Sequence, residues 1–375
     1  MAAKKRLLII HPAPAPYRID LFNALAKRFV LKVVFLDKKI WYQKDTIGTW
    51  FKDIKFDFEY LDSGISLINR RLALGLGKKI DAFRPDAVVT SEFGFATSFL
   101  VGRGGGHRHI VWTADNPEVI RAESPLRRGW KRLLLPRIAS LILYSKETED
   151  FYRRKLGFKG AAGICPNVQS EKNILRKVGA AAGNAGRCLI KYGLVGRKVV
   201  LYMGRLSPEK RVDRLISAFS RISKDAPYQL VLVGSGSERQ ALETMARRLG
   251  ISDQVLFMGH LEGPEFYAWF RLGCVLVLPS DFEPWGAVVN EALVGGIPAV
   301  VAEAVGAKVL IRPGRNGTVF NPAKEGDLER AIEYWLASGR PLGKAGIMKE
   351  RPPKMGSAFD AAVEGFAGAI ESHAG

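Results

Sequence analysis

Short apolar runs rich in leucine and β-branched residues alternate with amphipathic stretches from the start of the chain, and this rhythm restricts the fold more than any other feature. Residues 6–11 read as a strand, 19–29 as a helix and 31–36 as a second strand. Strand patterns recur at 87–90, 109–113 and 140–145, separated by helical patterns at 67–83, 125–136 and 146–156. The beat restarts with an apolar strand at 198–203 and a helix at 212–222. Strands at 229–233, 255–257, 274–278 and 299–302 follow, with helices at 238–249, 264–272 and 287–294. Parallel strands joined by crossover helices are the economical solution to such a pattern. A chain of 375 residues also exceeds the roughly 150 to 250 over which one core grows. The expectation is an α/β protein of two doubly wound domains facing each other across a cleft. The pattern weakens between 169 and 197, a stretch rich in Ala, Gly and Lys, and the domain boundary is placed there. This gives an N-terminal domain at 1–175, a C-terminal domain at 176–350, and a last helix within 351–375 packing back on the N-terminal domain.

Ligands in doubly wound sheets sit beyond the carboxyl ends of the strands, so the residues just after each strand carry the functional reading. Gly204-Arg205-Leu206-Ser207-Pro208-Glu209-Lys210-Arg211 follows a strand and opens a helix. Two cations on a loop at a helix amino terminus suit a phosphate or pyrophosphate, because backbone amides and the helix dipole already favour an anion there. A solvated basic loop is the other reading. Residues 279–293 again follow a strand and place Glu283 in a turn and Glu291 in the helix after it. A carboxylate accepts two hydroxyls at once and so suits a ribose diol, while loop amides near Trp285 and Gly286 suit sugar hydroxyls. A helix-capping glutamate and an ordinary surface glutamate are the alternative.

Taken together, these residues resemble the nucleotide-binding domain of retaining GT-B glycosyltransferases, closest to glycosyltransferase family 4 (group 1). The similarity runs in order through Gly204-Arg205-Leu206 with Lys210, Val233-Gly234-Ser235-Gly236, Phe257-Met258-Gly259-His260, Glu283 to Glu291, and Gly296-Ile297-Pro298 with Gly306 and Asn316-Gly317. It implies two Rossmann-like domains, the first binding the acceptor and the second the donor nucleotide sugar. By that resemblance Arg205 and Lys210 bind the donor pyrophosphate and stabilise its growing charge. Glu283 lies near the donor sugar and Glu291 holds the ribose. Gly259, His260 and Leu261 face the nucleobase, and Gly204, Gly234, Trp285, Gly286 and Ala287 complete the donor site. The resemblance further implies retained anomeric configuration, a leaving phosphate that helps deprotonate the acceptor, and no cofactor or required metal. The chain has no Asp-x-Asp, which agrees with the last point. A role in cell-surface polysaccharide or glycolipid synthesis is expected. Another GT-B activity, such as a nucleotide-sugar epimerase or disaccharide synthase, and a catalytically idle binding scaffold are the alternatives.

Three positions depart from the pattern. The loop after the first strand, where the family often has paired glycines, reads Pro12-Ala13-Pro14-Ala15-Pro16-Tyr17-Arg18, with Arg18 as a replacement side-chain donor. Arg211 stands where a glycine commonly follows the lysine. Trp112-Thr113-Ala114-Asp115-Asn116-Pro117 stands where some members place a histidine. Asp115 is therefore a candidate acceptor-side base or hydroxyl ligand, set against a turn residue ahead of Pro117. Glu92, just after a strand, is a third acceptor-side candidate beside Arg18 and Asp115.

The 57 Lys and Arg against 37 Asp and Glu bear on partners and not on fold. Residues 1–170 hold 30 of the former and 16 of the latter. Within them, Leu126, Trp130, Leu133 and Leu134 share one face of a helix and Arg127, Arg128, Lys131 and Arg132 lie opposite. The expectation is a core-packed helix with a solvated basic back. An interfacial helix drawn to an anionic membrane surface is the other reading. No aromatic and basic interleaving supports nucleic acid as a partner. Cys165, Cys188 and Cys274 form no CxxC pair, so neither a zinc site nor a disulfide framework is expected. The opening apolar run is too short for a signal peptide, and a cytoplasmic protein, peripheral on the inner membrane face at most, is expected.

Overall fold

The computed structural model describes residues 3–38, 51–61, 65–67, 70–72, 75–224, 226–339, 342–343, 353–355 and 358–372. The chain forms two compact units, Met1–Gln169 with Phe359–Gly375, and Ser170–Ala358. In the first unit the strands are β1 (Arg6–His11), β2 (Val30–Phe35), β3 (Asp57–Tyr60), β4 (Ile65–Leu67), β5 (Arg70–Leu72), β6 (Ala87–Ser91), β7 (Arg108–Trp112), β8 (Ser140–Leu143) and β9 (Ala161–Ile164). All but β4 and β5 join one parallel sheet in the order β3-β2-β1-β6-β7-β8-β9. A parallel sheet is covered on both faces by its crossover helices, so its strands are apolar throughout and do not alternate. Leu7, Leu8, Ile9 and Ile10 of β1 are accordingly all buried. Leu8, Ile10, Val34 and Val88 pack with Leu76 and Ile80 of the helix Leu76–Phe83 and with Ala96 and Leu100 of the helix Phe95–Arg103.

The helix Phe359–Glu371 belongs to this first unit. Arg28 donates to Glu371 and to Glu364, each at 2.8 Å, and the Phe366 ring meets Trp112 edge-on at 5.1 Å. Gly365 lets the helix backbone lie directly on β9. A Cβ there would stand 1.9 Å from the Ile164 carbonyl oxygen.

The second unit contains β10 (Lys198–Met203), β11 (Tyr228–Val233), β12 (Val255–Gly259), β13 (Gly273–Leu278), β14 (Ala299–Ala302) and β15 (Gly317–Phe320), parallel and in the order β12-β11-β10-β13-β14-β15. Strand β10 pairs with both β11 and β13. The chain winds outward in one direction from β10 to β12 and in the other from β13 to β15, so the order reverses between β10 and β13.

The units divide between Gln169 and Ser170, at the front of the stretch where the pattern weakens, and that stretch folds as the helices Glu171–Ala180 and Ala182–Lys191 inside the second unit. Ile174, Val178, Ala181, Ala185 and Leu189 are buried at helical spacing, and both helices lie against the helix Gly263–Leu272. The helix expected over 67–83, part of which lies outside the described residues, begins at Leu76 after Gly75 in a left-handed conformation. Ile65–Leu67 and Arg70–Leu72 pair as antiparallel strands.

The helix Pro125–Leu134 departs from its expected orientation in part: Leu134 is buried and Arg127 and Arg132 are exposed as expected, but Lys131 faces inward. Leu126, Trp130 and Leu133 are 86%, 45% and 56% exposed, whereas Lys131 is 1% exposed. The reason is electrostatic. The Lys131 ammonium lies 2.6 Å from Asp115 and 2.8 Å from Glu123, with side chains of both carboxylates nearly sealed from solvent. Tyr152 also donates its hydroxyl to Asp115. A buried carboxylate pair needs a cation, and with Lys131 turned inward Leu126, Trp130 and Leu133 face outward while Leu134 stays buried.

Two stability predictions follow from this packing. Lys131→Met leaves the buried Asp115 carboxylate without its cation and Glu123 with Arg127 alone, and is expected to cost about 3–5 kcal/mol, read from denaturant unfolding of the full chain. A loss below that of an ordinary surface substitution would show that the ion pair is dispensable. Gly234, just past β11, has φ of 143° and would place a Cβ 1.8 Å from the Gly204 carbonyl oxygen. Gly234→Ala is expected to destabilise by more than the ~1–3 kcal/mol of a strained backbone residue alone, and an unchanged melting temperature would refute the close approach.

Candidate active site

The carboxyl ends of β12, β11, β10 and β13 carry nearly every donor-site residue expected from the sequence. Gly204 and Arg205 follow β10, Gly234 follows β11, His260 and Leu261 follow Gly259 at the end of β12, and the loop containing Glu283 follows β13. Loops after β10 and β13 thus flank the point where the strand order reverses, which is where a crevice opens in such a sheet.

After β10 the chain makes a short 3-10 turn, Pro208–Lys210, and enters the helix Val212–Ile222. The turn carries Lys210 inward, where it is 6% exposed. Its ammonium donates to the Glu283 carboxylate at 2.8 Å and lies 3.3 Å from the Phe282 carbonyl oxygen. The two residues expected to act on the pyrophosphate and on the donor sugar are therefore held against each other. Arg205 takes a different direction. Its guanidinium is half exposed and 3.4 Å from Glu209, and its carbonyl oxygen accepts the Tyr202 hydroxyl.

Arg211 occupies a left-handed conformation with φ of 50°, which accounts for a glycine being suited to that position. Asp213 at 3.1 Å and Asp281 at 2.6 Å hold its side chain, and Asp281 also accepts from Arg214 at 2.9 Å. These bridges tie the helix start to the loop after β13. They are not legible in the sequence, since Asp281 is as ordinary a loop carboxylate as any other.

The Glu283 loop is also stitched from its other side. Its carbonyl oxygen accepts from Gly306 N–H at 3.0 Å, and the Trp285 carbonyl oxygen accepts from Ala307 N–H at 2.8 Å. Trp285 is buried, and Gly286 and Ala287 start the helix Ala287–Val294. Glu291 in that helix is 8% exposed and accepts from the Tyr267 hydroxyl at 3.1 Å. Tyr267 went unnoticed in the sequence because an aromatic residue on an apolar helix reads as core. Gly259 is left-handed and accepts from Gly234 N–H at 2.7 Å, whereas the His260 side chain points to solvent beside Glu262 at 2.9 Å. Leu261 is half-buried. The Val233-Gly234-Ser235-Gly236 segment serves backbone packing. Gly204 N–H donates to Val233 and Leu206 N–H to Ser235, at 2.9 and 3.0 Å.

In the first unit the acceptor-side candidates sit at the carboxyl ends of β1, β6 and β7. Glu92, left-handed with φ of 63°, accepts from the Thr113 hydroxyl at 2.7 Å and from Ala114 N–H at 2.9 Å. Burial, and then the charge of Asp115, hold the Glu92 carboxyl above the ordinary carboxylate range. Asp115 is 3% exposed and its carboxylate is engaged by Lys131 and Tyr152. Both of these contacts are internal to the first unit, so the Asp115 carboxylate is engaged by the fold itself. Arg18 is buried, with its guanidinium 3.9 Å from the Trp112 ring centroid and donating to the Tyr144 hydroxyl. Among the described residues no group of three or more His, Cys, Asp or Glu gathers as a metal site.

Residues 191–351 match the family described as glycosyl transferases group 1. An uncharacterized glycosyltransferase of Methanocaldococcus jannaschii is 32% identical over 140 residues, covering 37% of this chain and 36% of that protein. Against that relative the match thus spans little more than a third of its length. A GDP-mannose-dependent alpha-(1-6)-phosphatidylinositol monomannoside mannosyltransferase of Mycolicibacterium smegmatis is 30% identical over 316 residues, covering 80% of this chain and 82% of that one. The structure of a sucrose-phosphate synthase from Thermosynechococcus elongatus aligns over 98% of this chain and 95% of that one with a TM-score of 0.69 at 18% identity. That likeness concerns the fold, two Rossmann-like α/β units of the GT-B kind. The long match to the mycobacterial relative, joined to the family match over the second unit, shows that the chain belongs to the glycosyl transferases group 1 family.

Proposed function

We propose that this chain is a retaining glycosyltransferase of family 4 that moves a hexose-type unit from a nucleotide sugar to a saccharide or lipid-linked saccharide, in polysaccharide or glycolipid synthesis. The carrying observation is the Lys210–Glu283 pair at the strand-order reversal, with Arg205 on the same loop. A cation already desolvated there stabilises charge on a departing diphosphate more strongly than one in water. Glu283 beside it accepts donor-sugar hydroxyls and shares the lysine with the phosphate. Glu291, with one oxygen held by Tyr267, accepts the ribose hydroxyls. The bond from the anomeric carbon to the diphosphate oxygen breaks with its electron pair leaving on the diphosphate. The acceptor oxygen bonds to that carbon on the same face, and the acceptor proton passes to the departing phosphate. No metal or cofactor is assigned a role. The GDP-mannose-dependent, phosphatidylinositol-directed activity of the mycobacterial relative supports a guanosine donor and a lipid-linked acceptor as first trials. An epimerase or disaccharide synthase would use the same donor site, and an idle scaffold would bind nucleotide without cleaving the donor.

Calorimetry with GDP, UDP and the matching nucleosides tests the donor site. Arg205→Ala and Lys210→Ala are expected to weaken diphosphate binding far more than nucleoside binding. Glu291→Gln is expected to lose ~1.5–3 kcal/mol toward both, and Glu283→Gln to lower turnover with nucleotide binding retained. Equal losses for diphosphate and nucleoside in the two cation variants would refute the pyrophosphate assignment.

A membrane-facing acceptor is favoured by one observation, the outward Leu126, Trp130 and Leu133 on a helix flanked by exposed Arg127 and Arg132. We infer a peripheral contact with an anionic leaflet, on the cytoplasmic side. No helix among the described residues is long and apolar enough to cross a membrane. Apolar side chains insert at the headgroup boundary while each basic residue contributes ~1 kcal/mol near an anionic surface. Co-sedimentation with phosphatidylserine-containing vesicles should fall on raising salt and fall further when Leu126, Trp130 and Leu133 become Ser. Vesicle binding unaffected by the triple substitution would rule out this face.

A further inference from the structure

Arg18 is the one buried cation of the first unit whose charge no carboxylate balances among the described residues. It is 7% exposed, at the end of the Pro16–Arg18 turn that follows β1. Its guanidinium meets the rings of Trp112, Tyr17 and Tyr144 and donates to the Tyr144 hydroxyl, and its Nε is sealed from solvent with no hydrogen-bond partner among the described residues. The titratable groups around it do not supply a counter-charge. Burial, and then Arg18 itself, push the His11 imidazole down to about 3, so it is neutral. Burial pushes the Tyr144 phenol and the Cys165 thiol each up to about 12, so both keep their protons. The carboxylates of the same sheet edge are committed elsewhere, Glu92 to Thr113 and Ala114 and Asp115 to Lys131 and Tyr152. Lys131, the other deeply buried cation of this unit, has two carboxylates within 3 Å.

A guanidinium taken out of water without an anion is strongly unfavourable, and its planar fork of donors matches an oxyanion. Arg18 stands at the carboxyl edge of the parallel sheet, among the ends of β1, β7 and β8, where ligands of such sheets bind. It also precedes the helix Ile19–Arg28, whose first amides add to the local positive potential. We propose that Arg18 is the anchor of an anion site in the first unit, and that the acceptor carries a phosphate or carboxylate group which this guanidinium binds. The inference rests on the glycosyltransferase reading and narrows its acceptor to anionic sugars or anionic sugar-bearing headgroups.

The test titrates the full chain with glucose 6-phosphate, glucuronate and glucose, following the Arg18 Nε–H resonance assigned by its loss in Arg18→Lys. The two anionic sugars are expected to give saturable shifts and glucose none. The stronger binder of the two distinguishes phosphate from carboxylate. By calorimetry Arg18→Lys should weaken the preferred anion by at least about tenfold, because an ammonium lacks the fork, and Arg18→Met should abolish binding. Without ligand, Arg18→Met should also melt no lower than the parent, since it removes an unbalanced buried charge. Glucose binding as tightly as the anions, no saturable shift with either anion at roughly 10 mM, or anion binding retained in Arg18→Met would overturn the proposal. A lower melting temperature for Arg18→Met would overturn it too, by giving Arg18 a packing role. GDP and UDP binding, which uses residues of Ser170–Ala358, is measured in the same variants. Loss of nucleotide binding in the parent would instead refute the donor reading.

Discussion

Parallel pairing of β10 with both β11 and β13 is the constraint on which the candidate site depends. Crossovers leaving the carboxyl ends of β10 and β13 must depart in opposite directions, and the loops between them are pushed apart above the sheet. Residues with no sequence proximity are thereby brought to one place. Lys210 and Glu283 are separated by three strands and their helices, yet their side chains meet at 2.8 Å. The pair is held by its surroundings as much as by its charge. Asp281 ties Arg211 and Arg214 to the loop after β13, and backbone bonds from Gly306 and Ala307 hold the same loop from the far side. A site supported on both flanks keeps its charges oriented before any ligand arrives, which is where electrostatic stabilisation gains most.

Buried charge organises the first unit as well, in two opposite ways. Around Lys131 it is balanced, and the balance decides which way a helix faces. Desolvating a lysine is tolerated only because two carboxylates are already inside, and satisfying them exposes three large apolar residues on the same helix. Around Arg18 it is not balanced among the described residues. Stacking on Trp112 and one phenol oxygen offset only part of the lost hydration. One cluster is complete within the fold, and the other has the chemistry of a receptor for an anion.

The sequence by itself determined the α/β class, the start and end of most strands, and that the candidate donor-site residues follow β10 and β13. Periodicity is a local property, and a parallel strand buried on both faces announces itself as an apolar run such as Leu7–Ile10 or Val199–Met203. It did not determine that the helices Glu171–Ala180 and Ala182–Lys191 exist, because Ala and Gly are weak signals of burial until a neighbouring helix is known to approach closely. It placed Lys131 on the solvated face, since one helix's own pattern cannot report that Asp115 and Glu123 lie beneath it. Only the tertiary structure decided that Lys210 faces Glu283, that Tyr267 serves Glu291, and that Arg18 is buried without an acid among the described residues. Charge pairing acts through space between residues far apart in the chain, and the spacing of letters along one segment carries no record of it.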